Sequence, residues 1–336
     1  MKQFTADKSD KISIGIVIPV FDDWNSLRLL LPLIDENFAD ARLAVEVVVV
    51  DDGSNQSYAD GAGEPLALDH IEKISLLELK RNLGHQRAIT LGLAFAAAER
   101  DFDAVLVMDG DGEDKPSDAR ALFDKCRAEN FSRMIFAKRT KRTEGAAFRF
   151  FYALYKFFYK ILTGRSIRMG NFSCVPRRIL KRLMVVSEVW NHYAVGALKA
   201  RVAFDELDTT RGHRLSGASK MNFVSLVTHG LSAISVYGDA VGVRLLIGTG
   251  GLILFSFVAI LVVVVVRFVT DLAIPGWATY VVALLLIFLM QAVTLSLFFI
   301  FLILNNRDNA SFLPERDYGF FIQAVQEIYS KNNTEK

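Results

Sequence analysis

The chain has 336 residues, 52% hydrophobic and 23% charged, enough for two ordinary domains or one large domain with an appendage. Such apolar content excludes a disordered chain, and with this much charge it requires the two kinds of residue to be kept apart. Lys+Arg (39) and Asp+Glu (37) nearly cancel at +2, which argues against a dedicated nucleic-acid binder. Cys126 and Cys174 have no CxxC or Cys/His spacing, so neither a disulfide scaffold nor a zinc site is implied.

In chain order, Met1 to Asp10 is polar and the apolar stretch Ile12 to Val20 runs straight into Asp22 and Asp23, which is not a signal-peptide pattern. From Ile12 to about Asn222 short β-branched runs alternate with helical stretches, the rhythm of an α/β sheet. Ile14 to Pro19, Val45 to Val50, Ile74 to Leu79, Ala104 to Met108 and Met134 to Ala137 read as strands. Ser26 to Phe38 and the alanine-rich Gln86 to Arg100 read as helices. Two strands end in acidic motifs, Asp51-Asp52-Gly53-Ser54 and Asp109-Gly110-Asp111, and the carboxyl edge of an open parallel sheet is where a ligand crevice lies.

Phe148 to Arg165 interleaves aromatic rings with Arg149, Lys156, Lys160 and Arg165, which suits a helix lying on a membrane surface; a core helix with snorkelling lysines has the same pattern. Phe223 to Arg244 is mildly amphipathic and reads as a second interfacial element. Leu245 to Val266 and Ala278 to Leu304 are uncharged and long enough to cross a hydrocarbon layer about 30 Å thick. The Pro275-Gly276 turn signal between them makes a hairpin. Basic residues outside it (Lys220, Arg244, Arg307, Arg316) outnumber Arg267 within its link, which places both outer ends in the cytosol.

The chemistry-bearing residues come next. Asp109 and Asp111 present hard oxygens suited to Mg²⁺ or Mn²⁺, Gly110 lets the backbone approach a ligand, and Glu113 is a candidate third ligand. A cation there would neutralise charge on a departing diphosphate. Taken alone, an acidic pair is also a common turn or cap. Asp52 ends the most hydrophobic strand, where a carboxylate can accept from a nucleobase or ribose. The basic run Lys138-Arg139-Thr140-Lys141-Arg142 is either a solvated loop or a phosphate clamp.

Ile18-Pro19-Val20-Phe21, Val50 to Ser54, Asn82-Leu83-Gly84, Asp109-Gly110-Asp111, Gly170-Asn171-Phe172 and Arg214 to Lys220 occur in an order that resembles family 2 glycosyltransferases, more narrowly dolichyl-phosphate mannose synthase and the bacterial polyprenyl-phosphate glycosyltransferases. The resemblance implies a GT-A, Rossmann-like nucleotide-sugar domain over residues 1–222, a juxtamembrane helix over 223–244, a transmembrane hairpin over 245–304 and a cytosolic tail over 305–336. It implies that Pro19, Phe21, Asp23, Val50 and Asp52 line the nucleotide pocket, that Asp109, Asp111 and Glu113 hold the metal, and that Arg139, Arg149, Arg214 and Lys220 meet donor and acceptor phosphates.

The chain departs from the family pattern at Asp22-Asp23, Glu113, Lys115-Pro116 and Gly170-Asn171-Phe172-Ser173, where the family usually has Asn-Glu, Gln, Pro-Pro and Gly-Asp-Phe-Arg. The implied activity is inverting, metal-dependent transfer from a nucleotide sugar to a polyprenyl phosphate at the cytosolic face of an inner or plasma membrane, with self-association left open. A phosphate acceptor, with a second pKa of about 6, needs no protein base; a hydroxyl acceptor would, and Glu188 and His192 are the candidates. The alternatives are transfer to a saccharide or another lipid, or an inactive scaffold or transporter subunit.

Overall fold

The computed structural model describes residues 11–61, 67–139, 146–165, 169–217, 223–270, 276–308 and 312–331. The chain divides into two compact units. The first comprises Met1–Phe148, Ile167–Val236 and Ser311–Lys336, the second Arg149–Ser166 and Tyr237–Ala310.

In chain order the first unit begins with β1 (Ile12–Val20), α1 (Trp24–Asn37), β2 (Leu43–Asp51), the single turn α2 (Tyr58–Gly61), β3 (Ile71–Leu79), α3 (His85–Glu99), β4 (Ala104–Val107), α4 (Pro116–Ala128) and β5 (Met134–Arg139). Helix α5 (Ala146–Thr163) leads into the second unit, and β6 (Ser173–Pro176), α6 (Arg177–Leu183), α7 (Tyr193–Lys199), β7 (Phe204–Thr209) and α8 (Phe223–Ser235) return to the first. The long helices α9 (Gly238–Val269) and α10 (Trp277–Asp308) follow, then the single turn α11 (Pro314–Asp317) and β8 (Ile322–Ser330).

The described strands form one sheet in the order β7-β5-β6-β4-β1-β2-β3-β8. Its centre, β4-β1-β2-β3, is parallel, so β1 is covered on both faces and reads as an apolar run, not an alternation. Alternate residues still part to opposite faces. Ile14, Ile16 and Ile18 pack with Leu27, Leu30 and Ile34 of α1 and Phe123 of α4. Val17, Val48 and Val50 pack with Ile89, Leu93 and Ala94 of α3 and Tyr193 of α7. Because β1, β2 and β4 run the same way, Val20, Asp51 and the residues after Val107 emerge at one edge, and the site is built there.

The segment after the hairpin is more than a tail. β8 pairs antiparallel with β3, from Lys73 opposite Ser330 to Leu79 opposite Ile322. Phe312 and Phe321 stack on Trp190 at 3.9 and 5.0 Å between ring centroids, and Arg87 lies 5.1 Å over the same ring. The chain therefore leaves the sheet before α9 and rejoins it after α10.

In the second unit α9 and α10, of 32 residues each, pack side by side; at 1.5 Å per residue each is about 48 Å long, more than a bilayer core. Thr249, Ser256 and Val263, seven apart, are the buried residues of α9. Ser296 of α10 donates to Thr249 Oγ1 at 2.7 Å. This is a small-residue seam carrying an interhelical hydrogen bond, as helix pairs in lipid use. Leu254, Phe255, Phe257, Phe268, Leu284 and Phe301 are outward and exposed, an arrangement suited to hydrocarbon. On α5, Leu154, Phe157, Phe158 and Ile161 form an exposed stripe at helical spacing. Arg244 donates to Ile161 O at 2.6 Å, and Arg165 lies 5.4 Å over the Tyr237 ring. The aromatic helix and the start of α9 thus belong to one packed group.

Candidate active site

Asp52, one residue past β2, is buried, and both its oxygens accept backbone N–H groups, Oδ1 from Leu83 at 2.7 Å and Oδ2 from Gly84 at 2.9 Å. Burial pushes its pKa above the usual carboxylate value despite these bonds. It clamps the loop that opens α3 and so fixes His85 at that helix's first turn. Asp51 Oδ1 accepts Ser54 N at 2.9 Å, and Asp22 accepts from Asn55 N and Nδ2 at 2.7 and 2.6 Å, tying the loops after β1 and β2 together. Pro19 and Val50 are buried strand residues beneath these loops, and Phe21 is 38% exposed above them.

After β4, Asp109 and Asp111 take different partners. Asp109 Oδ1 lies 3.2 Å from His85 Nε2. Burial opposes charge on this imidazole, but the carboxylates of Asp109, Asp114 and Asp52 together outweigh it and hold the pKa above the usual histidine value. Asp111 accepts Glu113 N on Oδ1 at 3.0 Å and Arg214 Nη1 on Oδ2 at 3.0 Å; burial pushes its pKa up. Arg214 also pairs with Asp23, so one guanidinium joins the loops after β1 and β4. Glu113 accepts Arg211 Nε at 2.8 Å.

The arginine loop is stitched down by Gly212 N to Glu113 O at 2.8 Å and Leu215 N to Asp111 O at 2.9 Å. A Cβ on Gly212 would meet Gly112 O at 2.6 Å, and one on Gly112, whose φ is +84°, would meet Leu215 Cγ at 2.5 Å. Glycine at both positions permits that approach.

Asp114 was not singled out by the sequence and is, with Asp52, the most buried acid of this group, 3% exposed. Its Oδ2 accepts Asp109 N at 3.1 Å and its Oδ1 accepts Arg139 Nη2 at 2.9 Å. Burial and the Asp109 charge push it up to about 7, against the pull of Arg139. His85 and Arg211 were missed as well. The position of His85 directly after Gly84 was its only local signal; Arg211 and Asp114 had none beyond charge.

Of the expected site residues, Asp23, Asp109, Asp111, Glu113, Arg139 and Arg214 come together through the ion pairs described, with Gly110 between the paired acids and Asp52 at the adjoining strand end. Arg149 lies on α5, and Lys220, like Thr140 to Arg142, lies outside the described residues. The two candidate bases are otherwise engaged. Glu188 pairs with Lys199 at 2.8 Å, which overcomes burial to hold its pKa below the usual value; His192 is buried and caps α7 through Val195 N.

An acidic cluster at the carboxyl edge of a mixed α/β sheet, paired with arginines, marks a GT-A-like domain, and two apolar helices long enough to cross a membrane follow it. Residues 15–183 match the family described as Glycosyl transferase family 2, and the chain belongs to that family.

Among its relatives, an uncharacterized glycosyltransferase of Bacillus subtilis (strain 168) is 26% identical over 83% of this chain and 84% of its own. The undecaprenyl-phosphate 4-deoxy-4-formamido-L-arabinose transferase of Proteus mirabilis is 25% identical over 71% of this chain and 74% of its own. The bactoprenol glucosyl transferase of Shigella phage SfV is 26% identical over 67% and 73%. Glucosyl-3-phosphoglycerate synthase from Mycobacterium tuberculosis, solved with Mn²⁺ and UDP-glucose, aligns over 69% of this chain and 80% of its own with a TM-score of 0.46 at 15% identity.

Proposed function

We propose that the protein transfers a sugar, with inversion, from a nucleotide sugar to a polyprenyl phosphate at the cytosolic face of an inner or plasma membrane. The observation that carries this reading is the coexistence, in one chain, of the Asp109/Asp111/Arg139/Arg214 cluster and a hairpin inserted in sequence between two strands, β7 and β8, of the same sheet. Both ends of such a hairpin must lie on one membrane side, the side that supplies nucleotide sugars. The relatives named for undecaprenyl phosphate and bactoprenol support the lipid acceptor.

The acceptor phosphate needs no protein base, because with a second pKa of about 6 it is largely dianionic at neutral pH. The prior engagement of Glu188 with Lys199 and of His192 as a helix cap agrees with that. An acceptor oxygen bonds to the anomeric carbon from the face opposite the leaving group, and the electron pair of the broken C–O bond departs with the nucleoside diphosphate. Arg139 and Arg214 are placed to receive that growing charge, preorganised by Asp114 and by Asp23 with Asp111. Lys220, and Arg149 on α5, are assigned to the acceptor phosphate at the membrane surface.

The residues fit a divalent cation. Asp111 and Glu113 pair with arginine and Asp109 with His85, so the acids are concentrated enough to draw cationic partners. Among the described residues no three His, Cys, Asp or Glu side chains converge on one point, so Asp109 and Asp111 would hold the ion together with diphosphate oxygens. Bound there, Mg²⁺ or Mn²⁺ supplies charge neutralisation for the leaving diphosphate.

The test is a donor screen with purified protein, a short polyprenyl phosphate and Mn²⁺. A mild-acid-labile glycolipid is the expected product. Transfer only to a saccharide or a lipid hydroxyl would overturn the acceptor assignment.

A further inference from the structure

At the edge of the sheet opposite the acidic cluster, a cleft of about 440 Å³ is lined by Asp103, Phe131, Pro176, Arg177, Arg178 and Lys181. The strands set its place. Ala104, which opens β4, stands opposite Pro176, which closes β6. Asp103 Oδ2 accepts Ser13 N at 2.9 Å, and Arg177 N donates to Asp103 O at 2.9 Å as α6 begins. From this edge β1 runs nine residues to Val20, about 30 Å, so the cleft is separate from the site already described.

Its charge comes from α6. This helix buries Ile179, Leu180 and Leu183 and exposes Arg178, Lys181 and Arg182, three cations at helical spacing on one face. The acids nearby are already engaged. Asp101 pairs with Arg177, Glu129 pairs with Arg133 at 3.1 Å, and Asp103 holds Ser13. Among the described residues no carboxylate pairs with Arg178, Lys181 or Arg182. Like charges so close repel, and a bound polyanion relieves that repulsion.

The apolar wall comes from the end of α4, which closes in a Schellman motif: Phe131 N donates to Cys126 O at 3.0 Å and Asn130 N to Arg127 O at 2.9 Å. That motif needs one left-handed residue, and Asn130 supplies it at φ +52°. Phe131 is left-handed as well, also at +52°, a costly conformation for a bulky side chain and one found where a ligand site imposes it. The ring leans on Phe123 at 6.2 Å, planes tilted by 47°, and lines the cleft with Pro176.

A ring wall bordered by cations selects a ligand with a flat part and several negative charges. Guanidinium forks match phosphate oxygens, Lys181 adds a point charge, and a heteroaromatic base stacks on a phenyl ring. The volume lies within the range of small-molecule sites, about 300–1,000 Å³. A lipid surface fits less well, because α6 carries no aromatic residue to enter the headgroup layer. We propose that this cleft is a second nucleotide site, with the phosphates on Arg178 and Lys181 and the base against Phe131.

The experiment is calorimetric titration of the full-length protein in detergent with ATP, GTP, UDP and inorganic triphosphate. EDTA is present, so that no cation bridges a phosphate to Asp109 and Asp111. Wild type should bind at least one of the nucleotides at a single site and more tightly than inorganic triphosphate. The double variant Arg178→Ala/Lys181→Ala, altered only at exposed positions, should weaken that binding at least tenfold, and Asp109→Ala should leave it unchanged. Phe131→Leu, which keeps an apolar contact with Phe123, should bring the nucleotide down to the affinity of inorganic triphosphate. Absence of nucleotide binding in wild type, or equal affinity there for nucleotide and inorganic triphosphate, would overturn the proposal. So would wild-type affinity in the double variant, or a loss in Asp109→Ala that the double variant does not share.

Discussion

Arg139 Nη2 lies 2.9 Å from Asp114 Oδ1, and the other oxygen of that carboxylate accepts the backbone N–H of Asp109 at 3.1 Å. A single buried acid thus fixes both an arginine of the crevice and the first residue of the acidic pair. Removing it should cost more than an exposed pair would, because Arg139 loses its carboxylate partner and the backbone N–H of Asp109 loses its acceptor. Arg139 is about a third exposed, so solvent screening reduces the loss to about 2 kcal/mol. Asp114→Ala should lower the midpoint of thermal unfolding by roughly 5 °C and depress transfer, with Asp114→Asn intermediate. Wild-type values of both in the alanine variant would contradict the role given to Asp114.

The acids of the crevice make stability depend on pH in an unusual direction. Asp52, Asp111 and Asp114 are held above the usual carboxylate value, Asp114 at about 7. Between the usual value and the raised one the folded protein binds more protons than the unfolded chain. The contribution of these groups to stability is therefore largest at low pH and falls as pH rises towards 7. A divalent cation would relieve the repulsion. Scanning fluorimetry of the detergent-solubilised protein should show Mn²⁺ raising the unfolding midpoint more at pH 8 than at pH 5.5. Equal or reversed increments would exclude cation binding at these acids.

Asp109→Ala and Asp111→Ala should each reduce transfer by at least a hundredfold while the protein stays folded, since both side chains sit past the end of β4 and outside the core. Complete chelation with EDTA should have the same effect. Turnover within a few-fold of wild type in both variants would remove the metal assignment.

A reporter fused after Lys336 should read cytosolic, and one inserted at Asp271 should read periplasmic or lumenal. The argument is the β3–β8 pairing, which requires the end of α10 to emerge on the side where the sheet folds. Opposite signals would separate the crevice from nucleotide sugars and end the proposal. Truncation after Arg307 should also abolish activity, because it uncovers the β3 edge and removes Phe312 and Phe321 from Trp190.

Much of this protein was legible in its sequence because the relevant physics is local. Parallel central strands are covered on both faces, so β1 and β2 stand out as apolar runs. The acidic motifs follow β2 and β4 directly, and chain direction alone places them at the ligand edge. Two uncharged stretches of membrane length needed only to be measured against a bilayer.

Tertiary structure decided what depends on distant segments. β8 mixes apolar with polar residues and none of them is buried, and only its pairing with β3 across about 250 residues of sequence, set by an open sheet edge, makes it a strand. Arg214 meets Asp23 across 191 positions and Arg211 meets Glu113 across 98; no periodicity encodes such pairs. Which of Glu113 and Asp114 is buried beside Arg139 and which stays nearer the surface with Arg211 follows from the left-handed turn at Gly112 and the loop packed onto it. Adjacent acids of like propensity are told apart only when the chain around them has closed and one carboxylate, but not the other, has lost its water.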